Sequence, residues 1–230
     1  EEMNIQPESS HHEQGPGQNE VDFRYAEALE AADNFVTFKW VVKSMASSSG
    51  LFASFLPKPL PHAPGSGLHF NLSLFKEGKN IFKAASDGHC PQAESFMAGI
   101  LENIGDITAF LNPSPLSYKR LSALSSPHFL GFERGARSKI IRIPAASGEN
   151  VRLELRSPDP LCNPYLALSA VILAGLDGIK REARPEAQPI SALPLSLSRR
   201  SLKSPLITQN MPPLLYKNYL ARITGGKTEG

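Results

Sequence analysis

The stretch NVRLELRSPDP, residues 150–160, restricts the folds open to this chain more than any other, because Arg152, Glu154 and Arg156 alternate with Val151, Leu153 and Leu155. Successive side chains of a strand point to opposite faces, so the segment buries its aliphatic side and gathers a carboxylate between two guanidiniums on the other. The chain must therefore build a sheet with one covered face. Taken alone, the polar row reads as a surface salt-bridge row on a half-exposed antiparallel strand, worth about 0–1 kcal/mol. The alternative is that it meets a ligand. The same period recurs in LHFNLSL, with Leu68, Phe70, Leu72 and Leu74 on one face and His69, Asn71 and Ser73 on the other. SKIIRIP and VRLELR flank the turn AASGEN and read as a hairpin, with Glu149 in its solvent-exposed turn.

Helical signals supply the cover for such a sheet. From about Ala26 to Ser49, apolar residues at Ala28, Leu29, Ala32, Phe35, Val36, Val42 and Met45 keep a helical spacing that Gly50 stops. A second helix starts at Pro91, carries the stripe Phe96, Ile100, Leu101, Ile104, Ile107 and Leu111, and ends at Asn112 and Pro113. A third begins with Asn163 as N-cap and Pro164 at the first helical position; it is apolar almost all round, which predicts burial. LFASFLP reads as a strand and PLPHAPGSG as a loop. Beyond Lys180 the Pro-, Ser- and Leu-rich run to Leu206 reads as a surface excursion before a short helix near Leu214–Ile223. The division expected is thus 1–181 for the main domain and 182–230 for the excursion and tail.

Composition removes several classes of function. A net charge of +2 over 230 residues, with Lys and Arg scattered, argues against a nucleic-acid partner. No apolar run is long enough for a membrane span. Cys90 and Cys162 fit no metal-ligand spacing and accompany no secretory signal, which predicts reduced thiols in the cytoplasm. The chain opens on EEMNIQ without an initiator Met, as a fragment or processed product would.

If both alternating strands belong to one sheet, their polar rows line one cleft, and His69 with Glu154 suggests a cation; a lone His on a strand is otherwise a hydrogen-bonded structural residue. HHEQGPGQNE places Glu13 and Glu20 either side of a Gly/Pro turn, where two carboxylates can fold back on one site, or where a polar loop simply meets water. Oxygen ligands with little thiolate favour Mg²⁺ or Mn²⁺, and Mg²⁺ in turn favours phosphate chemistry.

The ordered blocks EQGPGQNE, ADNFVTFKWVVK, FLPKP, GSGLHFNLSL, NPSPLSYKRL, ARSKIIRIP and RLELRSPDPLCNPYLALSAVILAGLDGI resemble the catalytic domain of bacterial-type glutamine synthetase, from about Glu8 to Ile179. The resemblance implies an α+β fold, a curved antiparallel sheet backed by helices of the guanido-kinase-like kind, here truncated. It implies ATP-dependent ligation of ammonia to the γ-carboxylate of glutamate through γ-glutamyl phosphate, in a cytoplasmic homo-oligomer, a dodecamer when full-length. By the same resemblance, Glu13 and Glu20 hold one divalent cation (Mg²⁺ or Mn²⁺), while His69 and Glu154 hold a second that bridges the ATP phosphates. Gly65, Arg120 and Arg156 hold glutamate, Glu8, Ser73, Arg142 and Arg152 contact the nucleotide, and Arg137 stabilises the transferring phosphoryl group. Fixed guanidiniums and cations suit phosphoryl transfer, which needs positioning and charge neutralisation more than covalent help.

The sequence departs from the family pattern in several places. The family's upstream β-grasp domain and two further metal-binding glutamates have no counterpart in it. Ser125 or Ser126 stands where a loop Glu closes over the ammonium site, Pro64 stands where an Asn often precedes GSG, and Glu133 and Gly135 replace more usual residues. Two alternatives follow: a γ-glutamyl ligase for another amine, and a non-catalytic relative that binds a metabolite or assembles with a partner.

Overall fold

The structure is a computed structural model that describes residues 3, 5–83, 90–123, 126–127, 129–135, 138–185 and 204–223. The chain opens with an antiparallel hairpin, β1 (Pro7–His12) and β2 (Asn19–Phe23), in which His11 faces Glu20. Helix α1 (Ala28–Ser48) follows and ends at Gly50, whose φ of 71° suits a residue without a Cβ. β3 (Phe70–Leu72) joins the main sheet, and β4 (Phe75–Lys76) and β5 (Lys79–Asn80) form a small hairpin. Then come α2 (Pro91–Leu111), α3 (Pro115–Leu121), β6 (Phe129–Arg134), β7 (Lys139–Ile143), a 3-10 turn (Gly148–Asn150), β8 (Leu153–Leu155) and α4 (Pro164–Lys180). Two short helices, α5 (Pro205–Thr208) and α6 (Pro213–Ile223), close the described part.

The main sheet has the order β3-β8-β7-β6. The expected hairpin is present, with Ile141 opposite Leu155 and Arg142 opposite Glu154, and β3 pairs antiparallel to β8 on its other side. The edge pair β6–β7 runs parallel. Alternation fixes which face a side chain takes and not the direction of the neighbouring strand, so it carries no signal for this difference.

Helices α2 and α4 cover the aliphatic face. Phe96, Ile100, Ile107 and Leu111 of α2 pack with Ile141 and Leu155 of the sheet and Val171 of α4, all without exposed surface. The two helices approach closely because Gly99 and Gly178 stand against each other and Gly175 lies under the Phe96 ring. The tail joins the same core: Tyr219 stacks on Phe110 at 4.7 Å between ring centroids and donates to the Ala109 carbonyl, 2.8 Å. The Pro- and Ser-rich run from 186 to 203 lies outside the described residues.

Three readings from sequence need correction. LFASFLP is extended but pairs with no strand among the described residues, since a strand needs a neighbouring backbone and residue pattern does not reveal whether one is there. α1 has its predicted span, yet Ala32 is its one buried residue, and Leu29, Val36, Trp40 and Met45 are exposed. Its contacts are instead aromatic: Phe38 lies edge-on to Phe23 at 4.9 Å and to Phe55 at 6.0 Å. α4 is buried along one side only, through Ala167, Ala170, Val171, Ala174, Gly175 and Gly178, while Tyr165 and Leu176 are exposed. Glu149 is exposed as expected, but it is not a bystander, because it accepts from the Asn80 amide at 2.9 Å and from Lys83 at 3.2 Å, tying β5 to the 3-10 turn.

Candidate active site

The polar row of the central strand is not a surface row. Asn71, Glu154 and Arg142 stand in register across β3, β8 and β7, and Glu154 is 5% exposed. Arg142 Nη1 donates to Glu154 Oε2 at 2.8 Å, and Arg156 Nη1 donates to Oε1. His69 Nδ1 lies 3.4 Å from the same Oε1. The His69 imidazole is pushed down to about 4, chiefly by burial and then by Arg156, with Arg120 and Arg142 adding and Glu154 opposing. The ring is thus neutral at pH 7, the form that ligates a metal ion. Arg152 leaves this group and turns to Asn71 Oδ1, 3.4 Å, and the Asn150 carbonyl, 3.3 Å.

Arg120 enters from α3, a helix that sequence periodicity missed because it has only seven residues. Its signal was local: Ser114 and Ser117 form a capping box and Pro115 takes the first helical position. Arg120 is buried, and Nη2 donates to Asn112 Oδ1 at 3.3 Å, the Pro158 carbonyl at 3.2 Å and the Ser157 carbonyl. Burial lowers its pKa to about 10, which leaves it charged. The Gly65–Gly67 loop lies against it. A Cβ on Gly65 would come within 2.6 Å of Arg120 Cγ, and one on Gly67 would stand 3.3 Å from both Arg120 Nη1 and His69 Nε2. The loop is held by Ser66 N–H to the Pro57 carbonyl and by Leu68 N–H to the Pro158 carbonyl, each 2.9 Å.

Buried Nε atoms of Arg120, Arg142 and Arg156 find no partner among the described residues. Buried donors normally carry a partner, so three spare ones on guanidiniums leave this site short of acceptors, a deficit that anionic oxygens would fill. The site thus gathers positive charge, one embedded carboxylate and a neutral imidazole.

A second cluster sits on the β1–β2 hairpin. Ligand atoms of His11, Glu13 and Glu20 all lie within 4.8 Å of one another, His11 Nε2 being 3.2 Å from Glu13 and 3.7 Å from Glu20. Burial raises the Glu20 pKa, aided by its hydrogen bond with Glu13 and by the charges of Asp22 and Glu13. Glu13 is lowered: its own desolvation is outweighed by hydrogen bonds from Glu20, the Gln14 amide and His11. Two carboxylates that crowd each other and share one imidazole fit a divalent cation, whose charge relieves the repulsion. The structure places His11 and His12 at the end of β1 rather than in a loop, with Glu13 just past the strand. His11 was missed, although residues two apart on a strand share a face and the spacing of His11 and Glu13 could have pointed to it.

His69, Glu154, Arg142, Arg156, Arg120 and Gly65 are therefore brought together, and Glu13 and Glu20 meet on the hairpin. Ser73, half-buried just past β3, and the exposed Glu8 of β1 take no part in the His69–Glu154 contacts. Arg137 and Ser125 lie outside the described residues. Ser126 is buried and donates to the Arg120 carbonyl at 2.7 Å.

A helix-backed sheet with buried arginines around one carboxylate, together with a hairpin that carries paired carboxylates, has the chemistry that suits phosphate groups and divalent cations. Residues 1–208 match the family model described as "Glutamine synthetase, catalytic domain". A glutamine synthetase of Clostridium saccharobutylicum is 47% identical over 225 residues, covering 96% of this chain and 50% of that protein. Among solved structures, the Plasmodium falciparum glutamine synthetase superposes with a TM-score of 0.90 at 26% identity over 96% of this chain and 55% of that one. GmaS solved in complex with ADP gives 0.87 at 32% identity, covering 98% and 57%. The chain belongs to the glutamine synthetase catalytic-domain family and spans about half the length of the relatives it matches.

Proposed function

We propose that this chain supplies the catalytic half of an ATP-dependent ligase that joins ammonia to the γ-carboxylate of L-glutamate through γ-glutamyl phosphate. The observation that carries the reading is the buried Glu154 held by Arg142 and Arg156 beside a neutral His69, with Arg120 and the Gly65 loop alongside. In this reading Arg120, Arg156 and the Gly65 backbone hold the glutamate carboxylates, since a planar guanidinium binds a carboxylate through two parallel hydrogen bonds. Arg142, Arg152, Ser73 and Glu8 face the nucleotide, a role supported by the relative GmaS, which was solved with ADP. Arg137 stabilises the transferring phosphoryl group. Glu13 and Glu20, with His11 beside them, are suited to one Mg²⁺ or Mn²⁺, and His69 with Glu154 to the other. Bound there, the cations would neutralise phosphate charge and orient the transfer. The protein works as a homo-oligomer, a dodecamer with its full complement of chain. A cytoplasmic setting suits two buried free thiols.

One observation favours a γ-glutamyl ligase for a larger amine: Ser126, at or next to the expected place of a loop carboxylate, is buried and spent on the Arg120 carbonyl. The test is γ-glutamyl hydroxamate formation from glutamate, ATP, hydroxylamine and Mg²⁺ or Mn²⁺. It should be run on this chain and on a chimera in which it replaces the matching half of the Clostridium saccharobutylicum enzyme. The chimera is expected to turn over and to lose activity on Arg120→Lys, and the chain alone to give no useful rate. A folded chimera without turnover would overturn the ligase reading, and preference for an alkylamine over ammonia would select the second amine class.

A further inference from the structure

The carboxylate hairpin and the Gly65 loop are 47 residues apart in sequence, and one side chain joins them. Gln18 Nε2 donates to the Gly65 carbonyl at 3.0 Å and reaches Ser66 Oγ at 3.4 Å, while its Oε1 accepts the Gly15 amide at 3.0 Å. The amide orientation is fixed by these partners, because a flip would set donor against donor and acceptor against acceptor. The backbone of Gln18 also closes the hairpin turn: its carbonyl accepts the Glu13 amide at 2.9 Å and its amide donates to the Gly15 carbonyl at 3.0 Å. A Cβ on Gly15 would stand 2.7 Å from Gln18 Oε1, so a side chain there would push the amide out of place. One residue therefore braces the turn that carries Glu13 close to Glu20 and, from the same position, holds the peptide placed beside Arg120 and His69.

We propose that Gln18 is a positioning residue that couples divalent-cation binding at Glu13 and Glu20 to the ordering of the Gly65–Gly67 loop, and thereby to the seating of the carboxylate substrate. The coupling rests on the cation and glutamate roles given above. A cation that fixes the hairpin turn fixes the Gln18 amide, so the loop is ordered before substrate arrives. By linkage, substrate then tightens cation binding by the same factor.

The test compares the 230-residue chain with Gln18→Met, which keeps the length and removes all three side-chain amide hydrogen bonds, and Gln18→Glu, which keeps the acceptor and sets an oxygen against the Gly65 carbonyl. Circular dichroism checks the fold of each. Hydrogen exchange at the Ser66 and Leu68 amides is followed with and without Mg²⁺, beside calorimetric titration of Mg²⁺. In the wild type, Mg²⁺ is expected to slow these amides roughly 2- to 10-fold, the range that one hydrogen bond supports. In both variants the slowing should stay within the hairpin while Mg²⁺ still binds. A purely structural role for Gln18 would speed exchange with and without Mg²⁺ alike, and that result overturns the coupling. Equal Mg²⁺ response in wild type and variants overturns it too while leaving the cation site standing. Absence of Mg²⁺ uptake by the wild type would instead remove the cation site, and the coupling with it.

Discussion

Glu154→Ala separates a buried ionic group from a surface row by its cost in stability. The carboxylate side chain is 7% exposed and that of Arg156 10%, so the substitution leaves a desolvated guanidinium facing Arg142 with no countercharge. Removing one partner of such a buried pair costs about 3–5 kcal/mol, against a total stability of about 5–15 kcal/mol for a domain. With a urea slope of about 2 kcal/mol per molar, the midpoint should fall by roughly 1.5–2.5 M at unchanged slope. Glu154→Gln, which keeps the volume and one acceptor oxygen, should fall between the wild type and the alanine variant. Unfolding is followed by far-UV circular dichroism in EDTA, so that loss of a bound cation does not contribute. The exposed Glu133 on β6 serves as control, since Glu149 carries hydrogen bonds of its own. A shift of the Glu154→Ala midpoint below about 0.3 M would mean that the row behaves as a solvated surface pair, worth no more than about 1 kcal/mol, and the reasoning would fail.

His69 makes the cation-free protein sensitive to mild acid. Its folded pKa, about 4, lies below the ordinary 6.5, so the unfolded chain takes the proton first. Stability should be full above pH 6.5 and decline toward pH 4, by about 2–3 kcal/mol after allowance for the ring's partial exposure. His69→Gln should flatten that part of a urea-midpoint profile, and an unchanged slope in the variant would refute the assignment. Two glycines of opposite setting give a packing test by thermal melting. Gly175→Ala drives a Cβ into the Phe96 ring and should cost about 1–3 kcal/mol, whereas Gly105→Ala, with open space at its Cβ inside α2, should add about 0.4–1 kcal/mol. The same sign for both would count against the packing described.

Elements announced by local chemistry were legible in the sequence. Pro91, and Asn163 with Pro164, mark where α2 and α4 begin, and alternation alone set the β7–β8 hairpin in place. The two-residue strands β4 and β5 escaped notice because no period can be read from so few residues, although Gly78, at φ 74°, marks their turn. LFASFLP failed for the opposite reason: its pattern is strand-like, and pairing depends on a backbone elsewhere. At the site, alternation put Glu154 on the right face but could not say that the face was covered, so a buried pair and a surface row looked alike. The Glu13–Glu20 juxtaposition followed from a turn signal, and His11 from the same strand went unused. The contact of Gln18 with Gly65 joins two loops and leaves no periodic trace, so only the folded geometry reveals it.

The two anchors of the Gly65–Gly67 loop belong to regions of unequal strength. Pro158 follows the central strand and moves only when the sheet opens, whereas Pro57 ends an extended segment in which Phe52 is 91% exposed and which follows a helix with one buried residue. Local opening free energies track buried contacts, so α1 and residues 51–57 should detach on mild denaturation before the core of α2, α4 and the sheet. Tyr165 to Asp33, 2.6 Å, and Lys39 to the Pro160 carbonyl are the polar ties that restrain them. Fraying there releases Ser66 from the Pro57 carbonyl and loosens the loop from one side, so the wall beside Arg120 and His69 can be lost while every spectroscopic signal of the core still reads as native.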